Sequence, residues 1–359
     1  MDLKFITEVA KAPPRTPHPE DAIFDGSHAS KTMMQAMEYA IEHPEIITIK
    51  WDGMPALVFG RNADGKLIIA DKYMFDKPHG RVTSPQAWID YDTQYRRDGA
   101  NRGDLYKKIE NIWQGVDEAV GNSPGYFWGD LLWSNVLEPE DGLFVFKPNV
   151  VEYRVDSTSK IGKLIKDRNG GIAVHSYLID ENGMPQPWNG QGLKVDGNVT
   201  IITPNAFTKF KLNDPIQSHS AATNAIEKYG IIADEFIGGL DGVAKNAIRK
   251  YTNHKITGQT TEQLGHWLAN NVSGKQYNKL VGDNGYLTTN KQGLAALVTI
   301  WDAVYAFKVD LANQLERQIQ GLHQSVNGQP GGEGFVFTTS NGPVKLVNRN
   351  IFSQALFKK

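Results

Sequence analysis

The sequence predicts an α+β fold, and three observations carry that prediction. Short apolar runs bounded by turn residues, the pattern of strands, fill much of residues 47–212 and return at 333–347. Between them, over 215–326, apolar residues recur at helical spacing instead. The chain has 359 residues, 40% of them hydrophobic, enough for two domains or for one domain with a large insertion. The expected parts are an N-terminal arm over 1–30, the first part of a core over 31–214, a helical insertion over 215–326 and the rest of the core over 327–359.

Four prolines, Pro13, Pro14, Pro17 and Pro19, and little periodicity make residues 1–30 an extended surface arm. Met33, Met37, Ala40 and Ile41 then share one face of a short helix. Next, Ile47-Thr48-Ile49-Lys50 reads as a strand that delivers a lysine to a turn at Asp52-Gly53, with Ala56-Leu57-Val58-Phe59 leaving it. Asn62-Ala63-Asp64-Gly65 is a hairpin signal, so residues 66–72 return as the next strand and place Lys50 and Lys72 on adjacent segments of one antiparallel sheet. Residues 75–102, with His79, Arg81, Arg96 and Arg97, read as a long loop.

Asp104 is positioned to cap a helix in which Leu105, Ile109, Ile112, Val116 and Val120 repeat at three- and four-residue steps up to Gly121. Tyr126-Phe127-Trp128-Gly129-Asp130-Leu131 is an aromatic strand. Residues 143–146 and 150–155 form a further strand pair, and 157–166 a helix. In the buried strand 171–179, His175 and Tyr177 alternate and so share a face; a lone histidine there is either a hydrogen-bonded core residue or a ligand contact. Strand character continues in 199–202 and 207–211. Leu294, Leu297, Trp301, Val304, Leu311, Leu315, Ile319 and Leu322 then mark one long helix, whose stripe must be covered within the chain or by a protein partner or second copy. After Gly331-Gly332, Glu333-Gly334-Phe335-Val336-Phe337 and Val344-Lys345-Leu346-Val347 form a closing hairpin across residues 340–342.

Composition narrows the function. No apolar run is long enough to cross a bilayer, and Asp2, Lys4 and Glu8 interrupt any signal-peptide core, so a cytoplasmic protein without a membrane partner is expected. With no cysteine there is no disulfide, thiolate zinc site or cysteine nucleophile. A net charge of −2 leaves nucleic-acid binding to local basic patches. Lys160, Lys163, Lys166 and Arg168 at near-helical spacing, and Lys209 with Lys211 on one face of a strand, are either such patches or solvated faces.

Four strings, Lys50-Trp51-Asp52-Gly53, Trp128-Gly129-Asp130-Leu131, the run from Glu333 to Phe337 and the run from Val344 to Val347, occur in the order of motifs I, III, IV and V of the covalent nucleotidyltransferases. The chain resembles that superfamily of ATP-dependent DNA ligases, RNA ligases and capping enzymes over 45–180 and 330–350. It is most similar to uncharacterised ligase-like proteins of tailed bacteriophages, for which the compartment would be the host cytoplasm. The resemblance implies a ligase-type adenylation domain of two antiparallel sheets with flanking helices, interrupted by the helical insertion.

It implies a lysyl-AMP intermediate on Lys50, then joining of a 5′-phosphate to a 3′-hydroxyl at nicked or broken nucleic-acid ends. ATP and Mg²⁺ are the implied cofactors. Asp52 would position Lys50, Gly53 would let the backbone approach the nucleotide, Lys72 would stand at motif Ia, and Asp130 would hold a ribose hydroxyl. His175, or Tyr177 as the other candidate, would stack on the base; Glu333 would orient the metal; Lys345 would meet the α-phosphate.

Where motif V usually has a second lysine the chain has Val347, and Arg349 is the candidate substitute. The gap between Asp130 and Glu333 is about 200 residues, longer than usual in the family. There is little chain after motif V for the OB-fold of DNA ligases and capping enzymes, which puts RNA ahead of DNA as the expected substrate. The alternative is a catalytically degenerate protein that binds nucleotide or nucleic acid, or a phage structural component.

Overall fold

The computed structural model describes residues 18–95, 101–203, 209–255, 264–282, 284–339 and 342–349. A 3-10 turn at Pro19–Asp25 leads into α1 (Ser27–Glu42), β1 (Thr48–Ile49), β2 (Ala56–Arg61) and β3 (Leu67–Asp71). There follow α2 (Lys72–Phe75), a 3-10 turn at Pro78–Gly80, α3 (Pro85–Tyr95), α4 (Gly103–Val120), β4 (Tyr126–Trp133), β5 (Leu143–Phe146), β6 (Val151–Asp156) and α5 (Lys160–Ile165). Then come β7 (Gly170–Leu178), β8 (Gln186–Pro187), β9 (Val199–Ile202), α6 (Ile216–Gly238), α7 (Gly242–Lys255), α8 (Leu264–Asn271), α9 (Gly274–Val281) and α10 (Tyr286–Thr289). The described chain closes with α11 (Lys291–Glu316), β10 (Leu322–Val326), β11 (Gln329–Pro330), β12 (Phe335–Thr339) and β13 (Gly342–Leu346).

These elements form two compact units. A β-rich unit takes the described residues of Trp51–Thr208 and Gln320–Gly332, and a helical unit those of Thr16–Lys50, Lys209–Ile319 and Glu333–Lys359. In the β-rich unit one sheet has the order β3-β2-β4-β7-β8, with β9 added parallel to β7, and a second has the order β11-β10-β6-β5. Asn62 makes the first hairpin by accepting hydrogen bonds from the Asp64 and Lys66 amides, while Gly65 takes φ +75°. Ile109, Ile112, Val116 and Val120 of α4 bury the stripe that their spacing sets, against Phe59, Phe127 and Ile201 among others. Trp133, Phe146, Tyr153 and Trp51 form a chain of ring contacts that ties β4 to the second sheet, at centroid separations of 5.3, 5.2 and 5.0 Å.

The helical unit is built on α6 and α11, whose apolar stripes meet in one core with Met34, Met37 and Ala40 of α1. A three-stranded antiparallel sheet, β1-β12-β13, adds Phe335, Phe337, Val344 and Leu346 to that same core.

Several sequence expectations change. The helices expected as an insertion over 215–326 do not stand apart, since they share a core with the residues on both sides of them. Within 18–30 the arm is no surface strand: Ile23 and Phe24 are fully buried, and residues 1–17 lie outside the described residues. The supposed loop 75–102 contains α3, whose stripe is too polar to register because only Trp88 and Asp92 are buried along it. Asp104 does not cap α4: it lies inside the first turn, the N-cap position is Arg102, and the Gly103 amide donates instead to Asn101 Oδ1 at 3.0 Å. The long helix stops at Glu316; Leu322 belongs to β10, paired with β6, which a continuing three- and four-residue rhythm cannot distinguish from helix. Lys209 and Lys211 are not in a strand, and residues 207–208 and the turn at 340–341 lie outside the described residues.

Lys50 and Lys72 are not on one sheet: β1 pairs with β12, while β3 pairs with β2. Among the described residues, no helix is long and apolar enough to cross a membrane.

Candidate functional site

In the helical unit, Thr48 pairs with Val336 and Val336 with Lys345, so these three stand in one cross-strand row. The Lys50 amide extends the ladder by one step, donating to the Gly334 carbonyl at 2.9 Å. Two residues beyond Thr48, Lys50 therefore shares its face with Lys345. The opposite face carries Ile49, Phe335 and Leu346 into the core. Strand alternation thus turns both lysines away from the apolar side.

The Lys50 ammonium forms an ion pair with the Glu333 carboxylate; the two side chains are 28% and 20% exposed. Gly334 makes this geometry possible. It takes φ +77°, and a Cβ there would meet the Leu346 carbonyl at 2.4 Å, so only glycine lets the chain turn from Glu333 into β12 at this closeness.

In the β-rich unit, Asp52 is buried and its carboxylate is spent on the entry to β6. It accepts from Asn149 Nδ2 at 2.8 Å and from the Val150 and Val151 amides at 2.7 and 2.9 Å, while its own amide donates to Tyr153 Oη at 2.6 Å. Burial pushes the Tyr153 phenol well above its ordinary range. Asp52 therefore organises the loop that enters β6. Gly53 also has a different reason: a Cβ there would lie 2.6 Å from Asp130 Cβ and 2.7 Å from the Leu131 carbonyl, so glycine is required by β4 itself.

A β-bulge decides the faces of β7. Trp128 pairs with Ser176 and Gly129 with Val174, which leaves His175 as the extra residue. His175 consequently lies with Trp128, Asp130 and Ser176. Its ring centroid is 5.9 Å from that of Trp128, its Nε2 4.0 Å from Asp130 Oδ2, and its Nδ1 2.8 Å from Ser176 Oγ. Tyr177 pairs with Phe127 on the other face, packs its ring there and donates from its hydroxyl to the Pro124 carbonyl at 3.3 Å. The shared face expected from simple alternation is thus overturned by one inserted residue. His175 is half exposed beside an acid and an indole, whereas Tyr177 supports the core.

Two expected nucleotide contacts are engaged differently. Lys72 begins α2 instead of ending a strand, with its Nζ 4.8 Å from the centroid of the Tyr73 ring. Arg349 is buried and pairs with Glu20 at 2.8 Å and Asp21 at 3.3 Å. It is therefore held in a buried ion cluster and does not replace the motif V lysine. Lys160, Lys163 and Lys166 are exposed on and just after α5. The sequence does not single out Asn149 or Ser176: Asn149 reads as an ordinary loop residue, and Ser176 comes to share a face with His175 and Trp128 only through the bulge.

The chain belongs to the family of unknown function DUF6267, which matches residues 16–359. No curated protein and no solved structure matches it.

Proposed function

We propose that the chain is an ATP-dependent polynucleotide ligase-like nucleotidyltransferase, which forms a lysyl-AMP on Lys50 and joins a 5′-phosphate to a 3′-hydroxyl, with RNA ahead of DNA. The observation that carries this reading is the pairing of Lys50 with Glu333 on the face of a small sheet that also bears Lys345.

A lysine amine is a nucleophile only when it has lost its proton, and its ordinary pKa leaves it charged at neutral pH. Lys345 on the same face supplies a like charge that favours the neutral amine, whereas Glu333 favours the ammonium. Diverting Glu333 from the pair would therefore shift Lys50 towards its reactive form. The Lys50 nitrogen would then bond to the α-phosphorus as the bond to the pyrophosphate oxygen breaks, and Lys345 would offset the charge on the phosphoryl oxygens. An oxygen of the 5′-phosphate would then attack the AMP phosphorus, breaking its bond to the Lys50 nitrogen and freeing the amine, and attack of the 3′-hydroxyl on the 5′-phosphorus would expel AMP and complete joining.

The residues fit Mg²⁺ held by one carboxylate and nucleotide phosphates. Glu333, whose carboxylate meets Lys50, would offer the oxygen ligand. When bound, the ion would supply charge stabilisation to the leaving pyrophosphate.

The test is covalent labelling with α-labelled ATP, and separately GTP, in the presence of Mg²⁺, followed by a denaturing gel. Label from ATP that is lost in Lys50→Ala and kept in Lys72→Ala supports the reading, and nicked RNA and DNA then rank the substrates. A folded protein, shown by intact mass to carry no AMP beforehand, that takes label from neither nucleotide would overturn it in favour of a non-catalytic binding protein.

A further inference from the structure

The β-rich unit carries a ring cluster to which the chemistry of Lys50 gives no role. His79, in the 3-10 turn after α2, meets Tyr91 and Tyr95 of α3 at centroid distances of 5.5 and 5.1 Å, and the two tyrosines, one helical turn apart, lie 4.6 Å from each other. Tyr91 is rooted at the edge of the core. His79 is exposed, and Tyr95 is 50% exposed. Tyr91 thus anchors the cluster to the core, while His79 and Tyr95 leave much of their surface exposed. The turn leading to them, residues 72–81, has Lys72, Lys77 and Arg81 against Asp76; Arg81 is paired to Glu181 at 2.6 Å, and Lys77 is exposed. Tyr73, 65% exposed, adds another ring beside the Lys72 ammonium.

From this we infer that His79, Tyr91 and Tyr95 form a stacking platform for the unpaired bases of a single-stranded nucleic acid, with Lys77 and Lys72 beside the backbone. The choice of nucleic acid as the ligand class rests on the proposed function; the platform itself does not depend on adenylation. Exposed aromatic faces flanked by cations bind single strands because every base offers a π-face, whereas duplex bases are already stacked. A protein partner would need an apolar centre, and the exposed positions of α3 are Gln86, Asp90, Thr93, Gln94 and Tyr95. With few cations in excess, stacking should dominate and the salt dependence should be shallow, on the order of one or two phosphates.

The experiment is fluorescence anisotropy of the full chain with a labelled 12-nucleotide oligo(U), oligo(dT) and a blunt duplex of the same length. The single strands are expected to bind more tightly than the duplex. Tyr95→Ala with His79→Ala should weaken single-strand binding about tenfold or more, while Tyr95→Trp retains it. Thermal unfolding of each variant checks that the fold is kept. Equal single-strand affinity of the wild type and the folded double variant, or tighter binding of the duplex, would overturn the platform. Lys50→Ala separates the two ideas: it should bind oligo(U) as the wild type does even though it takes no label from ATP.

Discussion

At the scale of single residues, the candidate chemistry depends on a glycine. Glu333 reaches Lys50 because Gly334 occupies φ +77° with no room for a Cβ beneath the Leu346 carbonyl. Gly334→Ala is therefore expected to destabilise the fold by about 2 kcal/mol or more, combining left-handed strain with a backbone clash. Gly65→Ala, at φ +75° with nothing within 4 Å, is the control and should cost only about 1 kcal/mol. Urea unfolding of both variants compares the two terms directly, and ATP labelling should fall in the first alone. The Glu-Gly pair was legible in the sequence as a turn, and Lys50 and Lys345 as strand lysines. Their common face follows from register, which strings of residues do not specify. The partners of Asp52 were illegible for a simpler reason: Asn149, Val150 and Val151 lie about a hundred positions away.

At the scale of elements, one inserted residue in β7 reverses a prediction that alternation makes with assurance, because period-two reasoning holds only in a regular ladder. His175 is thereby moved to the Asp130 face and Tyr177 is left on the core face. The strands themselves, and the α4 stripe, were readable because their periodicity spans whole elements. α3 was not, because its buried face is only two residues wide.

A contact between elements of the helical unit also sets a pH response. His219 of α6 is stacked on Phe307 of α11 at 5.0 Å and lies within 2.7 Å of Glu38 and 3.0 Å of Asp214. Burial opposes its charge, but hydrogen bonds to Asp214 and Glu38 outweigh that and raise its pKa above the ordinary 6.5. Its contribution to stability is therefore complete below about pH 6.5 and is lost as pH rises through the higher folded value. Urea midpoints measured from pH 6 to 9 should decline for the wild type and decline less for His219→Gln. Parallel slopes would remove His219 from the response.

At the scale of the whole molecule, the chain passes between its two units several times, and two of the crossings fall at Lys50–Trp51 and Gly332–Glu333. The helical unit is consequently assembled from distant segments, and a buried ion cluster joins three of them. Lys308 of α11 donates to Glu20 of the first 3-10 turn at 2.6 Å, across 288 positions, and Arg349, three residues beyond β13, reaches the same carboxylate at 2.8 Å. Trp301 donates to the neighbouring Asp21 at 3.0 Å.

Lys308 could be noticed in the sequence, since it falls between Val304 and Leu311 in an apolar stripe and would need a buried counter-charge. Nothing local identifies Glu20 as that partner. Burial disfavours the Glu20 carboxylate, but Lys308 and Arg349 prevail and hold it down to about 2. The stabilisation it provides is thus present above the ordinary carboxylate range and lost as pH falls towards 2. Glu20→Gln removes the shared counter-charge of two buried cations and is expected to cost about 3–5 kcal/mol at pH 7. Adding Lys308→Met should restore part of that loss, because only Arg349 is then left dependent on Asp21. Chemical denaturation of the wild type, single and double variants measures both numbers. A double variant no more stable than Glu20→Gln would mean that Lys308 is not held by this carboxylate.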